Sequence, residues 1–142
     1  MRIVNNSSLE LPSYQTEGSA GFDLRANIKD KLEIAPLERL LVPTGLRVEI
    51  PSGFVGYVCS RSGLALKKGI QVINAPGVVD CDYRGDVGVI LVNLSRDVQV
   101  IEPGERIAQM IIAPYERVDF EIADSLDETE RGSGGFGSTG SR

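Results

Sequence analysis

The chain has no histidine and no tryptophan, and only two cysteines among its 142 residues. Each shortage removes a class of function. Without histidine there is no Ser-His-Asp triad and no Cys/His zinc site, and the commonest general base is missing. Acid–base chemistry therefore falls to carboxylates. Cys59 and Cys81 are too few for a disulfide framework and read as small, buried or half-buried hydrophobes. No block rich in lysine and arginine occurs, and the formal net charge is −5. A nucleic-acid partner needs a basic surface to neutralise phosphates, so none is expected. A small polyanion would need a few placed arginines or a metal ion to offset the overall field. No stretch approaches membrane-spanning length, and the N-terminus has no apolar run of the signal-peptide kind. A cytoplasmic protein without a membrane partner is the expectation.

The chain is long enough for one domain with a real core. A hydrophobic content of 42% against 25% charged residues is that of a globular protein rather than a disordered one. Prolines and glycines punctuate it at short intervals, with runs rich in Val, Ile and Leu between them. Gly45 to Ile50 alternates apolar and polar, as a half-buried strand should. Phe54 to Cys59, Val87 to Val92 and Arg106 to Ile112 are apolar on both faces, which places them inside a sandwich or against another subunit. Helical spacing is confined to one turn near Ser62 to Leu66. Many short strands separated by turn signals predict an all-β fold, a sandwich or jelly roll.

Asn74 to Asn93 reads as a β-hairpin with Asp80, Asp82 and Asp86 crowded beside Tyr83 at its bend. These are either inert turn residues or carboxylates on a rigid tip, able to hold a water beside an aromatic that stacks on a sugar or base. In Arg106 to Ile112, Gln109 shares a face with Ile107 and Ile111. A buried polar side chain must find a partner, here either backbone or a ligand. Asp23 and Arg25 flank Leu24 and, at i and i+2, can form an ion pair. Arg61, Ser62 and Gly63 put a cation, a hydroxyl and free backbone donors into a short loop, a combination equally suited to a plain turn. From Ala123 the composition shifts: an acidic stretch is followed by Arg131-Gly132-Ser133-Gly134-Gly135-Phe136-Gly137-Ser138-Thr139-Gly140. This is either a flexible tail or a lid whose glycines, Arg131 and hydroxyls meet phosphate while Phe136 covers a base.

Taken together, five segments resemble the trimeric dUTPases, in order and over nearly the whole chain. They are AGFDLRA (20–26), RSGLA (61–65), GVVDCDYRG (77–85) with Asn74 before it, ERIAQMII (105–112) and RGSGGFGSTG (131–140). The departures are mild: Val79 where isoleucine is frequent, and Cys81 where a small residue is common. The resemblance implies a distorted jelly-roll subunit in a homotrimer, with a core over residues 1–122 and an arm over 123–142 that closes over the active site. It implies hydrolysis of dUTP to dUMP and pyrophosphate by attack on the α-phosphorus, removing dUTP from the nucleotide pool and supplying dUMP for thymidylate synthesis. Asp80 is similar to the carboxylate that activates the water, and Tyr83 to the aromatic under the deoxyribose. Asn74 matches the residue that reads the uracil edge. Arg61, Ser62 and Gly63 look like the phosphate loop, while Asp23 and Gln109 match residues that organise the phosphate–metal water network. Arg131, Phe136, Gly137, Ser138 and Thr139 look like the closing arm. The resemblance also implies Mg2+ held by the phosphates and waters, with no direct protein ligand. A dCTP deaminase-like enzyme is the rival on the same scaffold, and a non-catalytic dUTP-binding regulatory module the rival from another class. A structural jelly roll leaves the arm and the Asp80/Tyr83 tip unexplained.

Overall fold

The computed structural model describes residues 1–135. The chain runs β1 (Arg2–Asn5), β2 (Gly21–Arg25), β3 (Leu32–Ile34), β4 (Arg39–Glu49), β5 (Phe54–Cys59), α1 (Ser62–Lys68), β6 (Ile70–Val72), β7 (Gly77–Val79), β8 (Asp86–Asn93), β9 (Gln99–Ile101) and β10 (Arg106–Pro114). Two four-stranded sheets, ordered β1-β4-β8-β6 and β2-β10-β5-β7, carry a small β3-β9 ladder beside them. One apolar core joins them: Phe22, Leu24, Val58 and Met110 from one sheet pack with Val42, Val48, Val89 and Leu91 from the other, and Ile34 and Ile101 close one end. The expected β-sandwich of the jelly-roll type is what forms. Among the described residues no helix is long and apolar enough to cross a membrane.

Alternation explains most of the strands. In β8, Val87, Val89 and Leu91 are buried on one face while on the other Ile90 is exposed and Val92 is buried, so the strand is apolar on both faces and open on one at its middle. Leu41 lies opposite Ile90 on β4 and is also exposed. A Cβ at Gly88 would come within 2.7 Å of Leu41 Cδ1, so the glycine keeps that outer face close-fitting. β4 breaks its ladder with β8 between Pro43 and Leu46. There Gly45 holds φ +71°, and a Cβ on it would meet Asn27 Nδ2 at 2.6 Å, so glycine is required twice over.

Two sequence expectations change. Asn74 to Asn93 is not a hairpin. β7 pairs with β5 in one sheet, whereas β8 pairs with β4 and β6 in the other. Each apolar run already has better-matched neighbours, so the Asp80–Gly85 crest crosses between sheets instead of capping a two-strand ladder. In β10 a register shift between Arg106 and Ala108 breaks the period of two. Ile107 and Ala108 both enter the core, and Gln109 shares its outward face with Ile111 but not with Ile107.

Asn93 ends β8 fully buried. Its Nδ2 donates to Ile34 O and Asp97 O, and its Oδ1 accepts from Ser95 N and Ser95 Oγ. Asn93→Ala is predicted to destabilise the fold by about 3 kcal/mol, because several buried backbone groups lose partners together. A denaturant titration showing a loss below about 1 kcal/mol would contradict this.

Candidate active site

β10 is the strand on which the first half of the site is assembled. Gln109 lies opposite Asp23 of β2 on one side and Cys59 of β5 on the other. The chain leaving β5 reaches Arg61 and enters α1, whose C-terminal Gly69 adopts φ 66° and donates to Ala65 O. Lys68 fastens the helix to β9 and to the turn before β10, donating to Val100 O and Glu105 Oε1, each at 2.7 Å. A cleft of about 330 Å³ opens over this junction, lined by Asp23, Arg61, Ser62, Gly63, Arg106 and Gln109 and rimmed by Gln15 and Ser19.

Asp23 is the cleft's electrostatic centre. Arg61 Nε meets its Oδ1 at 2.7 Å and Arg106 Nη1 its Oδ2 at 3.1 Å. Their side-chain exposures are 14% for Asp23, 26% for Arg61 and 42% for Arg106. The carboxylate is shielded while both guanidiniums keep an open edge. Two cations against one anion leave one net positive charge facing the cleft, which suits a polyanion in a protein that is acidic overall. The anticipated Asp23–Arg25 pair does not form. Arg25 donates instead to Gly104 O at 3.0 Å, because cross-strand guanidiniums reach Asp23 with better geometry. Gln109 Nε2 donates to Ser60 O at 3.0 Å, so its polar head is partnered by backbone and still borders the cleft. Ser62 is exposed at the mouth, and nothing lies within 4 Å of a Cβ built on Gly63.

The second half lies elsewhere. β7 runs antiparallel to β5, with Gly56 opposite Val79 and Val58 opposite Gly77. Asp80 therefore emerges beside the Val55 end of β5 while Arg61 follows its other end, a separation of roughly 20 Å at the rise of an extended chain. On the crest, Asp80, Asp82 and Tyr83 are exposed. Tyr83 Oη donates to Asp86 O at 3.0 Å, Arg84 Nη1 donates to Cys81 O and Tyr83 O, and Arg47 Nε donates to Arg84 O. The tip is thus braced by its own arginine. Asn74 rests against Gly77, where a Cβ would lie 3.1 Å from its Nδ2. Arg131 is exposed and donates from Nε to Gly134 O at 2.9 Å. Phe136, Gly137, Ser138 and Thr139 lie outside the described residues.

One chain therefore gathers Asp23, Arg61, Ser62, Gly63 and Gln109 at the cleft and holds Asp80 at the opposite end of β5, while Tyr83, Asn74 and Arg131 do not line the cleft. Arg106 escaped the sequence reading: it stands beside a bulge that simple alternation cannot show, although it belongs to the same short run as Gln109.

A family model for dUTPase matches residues 7–140. The chain belongs to the dUTPase family. The deoxyuridine 5'-triphosphate nucleotidohydrolase of Fusobacterium nucleatum subsp. nucleatum is 52% identical over 140 residues, covering 99% of this chain and 96% of that protein. The dUTPase of Staphylococcus bacteriophage 80alpha, solved with dUPNHPP, superposes with a TM-score of 0.84 at 24% identity, over 98% of this chain and 97% of that one. A variant dUTPase of phage phi11 of S. aureus, described with a structural Mg(II) ion, gives a TM-score of 0.80 at 20% identity, over 89% of this chain and 98% of that one. At these identities the two phage structures speak to the fold.

As a dUTPase, this chain places in its cleft the residues of three of the family segments, and on its crest those of a fourth. Arg106→Ala is predicted to raise KM for a nucleoside triphosphate by about tenfold, since it removes one charge-assisted contact. Steady-state kinetics showing an unchanged KM would take Arg106 out of the phosphate site.

Proposed function

We propose that the chain hydrolyses dUTP to dUMP and pyrophosphate in the cytoplasm, in sites shared between the subunits of a homotrimer. The observation that carries this reading is the cleft itself: two guanidiniums over one shielded carboxylate, in a member of the dUTPase family. Asp80 accepts a proton from a water whose oxygen attacks the α-phosphorus in line. The bond from that phosphorus to its bridging oxygen breaks, and pyrophosphate leaves with the electron pair. Arg61 and Arg106 bind phosphate oxygens and Ser62 lies near the bond that breaks. Asp23 positions both arginines, and Gln109 orders water beside them. Tyr83 packs under the deoxyribose and Asn74 reads the uracil edge.

Positioning and charge neutralisation supply most of such a reaction. Among the described residues no group of three His, Cys, Asp or Glu side chains is placed to hold a metal ion, and Asp23 is engaged by arginines. The donor set therefore fits Mg2+ carried by the triphosphate and its waters, where the ion would neutralise phosphate charge.

The distance between cleft and crest within one chain supports a shared site: the crest of one subunit meets the cleft of another. The outward Leu41–Ile90 pair supports burial against a second copy. So does the segment after β10, where Val118, Phe120 and Ile122 are 69%, 96% and 100% exposed and alternate with Arg117, Asp119 and Glu121. That is the period of a half-buried strand lacking its sheet. The resemblance assigns residues 123–142 to an arm over base and phosphates; of Arg131, Phe136, Gly137, Ser138 and Thr139, only Arg131 is among the described residues.

Pyrophosphate release from dUTP, with dTTP, dCTP and UTP in parallel and with or without Mg2+, tests the reading. Release from dUTP alone is expected. Ammonia from dCTP would indicate a deaminase, and binding of dUTP without turnover a regulatory module. Asp80→Asn is predicted to keep nucleotide binding and lose about 10²–10⁴-fold in turnover; near-normal turnover would remove Asp80 from the base role. Deleting residues 131–142 is predicted to leave a folded trimer with poor activity, and light scattering that finds a monomer would contradict the arm assignment.

A further inference from the structure

Asp80 sits one residue beyond the last ladder pair of β7, Gly56 with Val79. The sheet does not hold it. Its neighbour Cys81 is held from two sides. Cys81 O accepts from Arg84 Nη1 at 2.7 Å, and Cys81 Sγ shares a hydrogen bond with Tyr115 Oη at 3.6 Å. Cys81 is partly buried against the core while Asp80 and Asp82 on either side face outward, so the thiol is the inward anchor of the crest. Tyr115 is well placed to receive it. It is the first residue past β10, and its N–H donates to Gly53 O at 3.1 Å. Together with Arg117 it walls a cavity of about 330 Å³ against Asp80, Cys81 and Asp82. The Cys81 contact, joined by desolvation and the nearby Asp80 charge and opposed by Arg117, pushes the Tyr115 phenol above its ordinary range, and either Cys81 Sγ or Tyr115 Oη can be the donor in their bond.

We propose that Tyr115 is a positioning residue for Asp80, acting through its hydrogen bond to Cys81 and fixing the carboxylate's approach to the attacking water. The inference rests on the reading of Asp80 as the base. It gives the cysteine a task that a smaller side chain at that place would leave undone. It also joins the crest to the start of the segment that carries Val118, Phe120 and Ile122.

The test is a double-mutant cycle on the full chain, with kcat and KM for dUTP, thermal stability and oligomeric state measured for each variant. Tyr115→Phe and Cys81→Ala are each expected to lower kcat by roughly fivefold, with KM and melting temperature little changed, because a small misplacement of the base acts on the chemical step. The double variant is expected to be no slower than either single one, since both remove the same bond. Cys81→Ser, which keeps a donor and acceptor, is expected to recover most of the rate. Multiplying effects in the double variant, or wild-type kcat in both singles while Asp80→Asn is inactive, would overturn the positioning role and leave the base assignment standing. A fully active Asp80→Asn would overturn the base assignment itself. Loss of rate only in step with lost stability or assembly would make the bond structural and overturn the proposal.

Discussion

The double ion pair at Asp23 is the constraint on which the rest of the site depends. It can form only because two separate stretches converge on β10. β2 brings the carboxylate, the exit from β5 brings Arg61, and β10 brings Arg106 and Gln109. A carboxylate this shielded would be unfavourable alone, and two guanidiniums crowded together would repel each other. Each makes the other tolerable. The surplus positive charge is the part left over for a ligand, and it is fixed in place before any ligand arrives, which is the condition for electrostatics to act on a reaction without reorganisation.

The division between cleft and crest comes from the same topology. Antiparallel pairing of β5 with β7 sends the Arg61–Gly63 loop and the Asp80 crest toward opposite ends of one strand. No side-chain movement within a subunit spans such a gap. In the proposed trimer, chemistry is tied to assembly: a chain that has not met its neighbours presents phosphate-binding groups without a base.

Much of this was legible in the residues themselves. β5 runs over Phe54–Cys59, as its uninterrupted apolar run indicates, and the single helical turn anticipated near Ser62 is the beginning of α1. What periodicity could not show was partner choice. The run from Gly77 to Val92 looks like a hairpin because strand pattern records which faces are apolar and says nothing of which strand lies alongside. Gln109 looks core-facing with Ile107 because a bulge leaves no local signature in composition. Arg106 and Tyr115 stayed out of view for the same reason: their importance lies in contacts between distant segments, Asp23 for one and Cys81 for the other.

The bulge in β10 has a consequence for how such a chain can change over time. By letting Ile107 and Ala108 both turn inward, it resets the phase of every later residue in the strand. Deleting Ile107 would restore plain alternation, with Arg106 and Gln109 still outward, and would cost the core one side chain. Deleting a residue beyond the bulge, such as Met110, would instead bring Ile111 to the inward place and turn Ile112 outward. The same change of length is therefore mild at the bulge and disruptive two residues later.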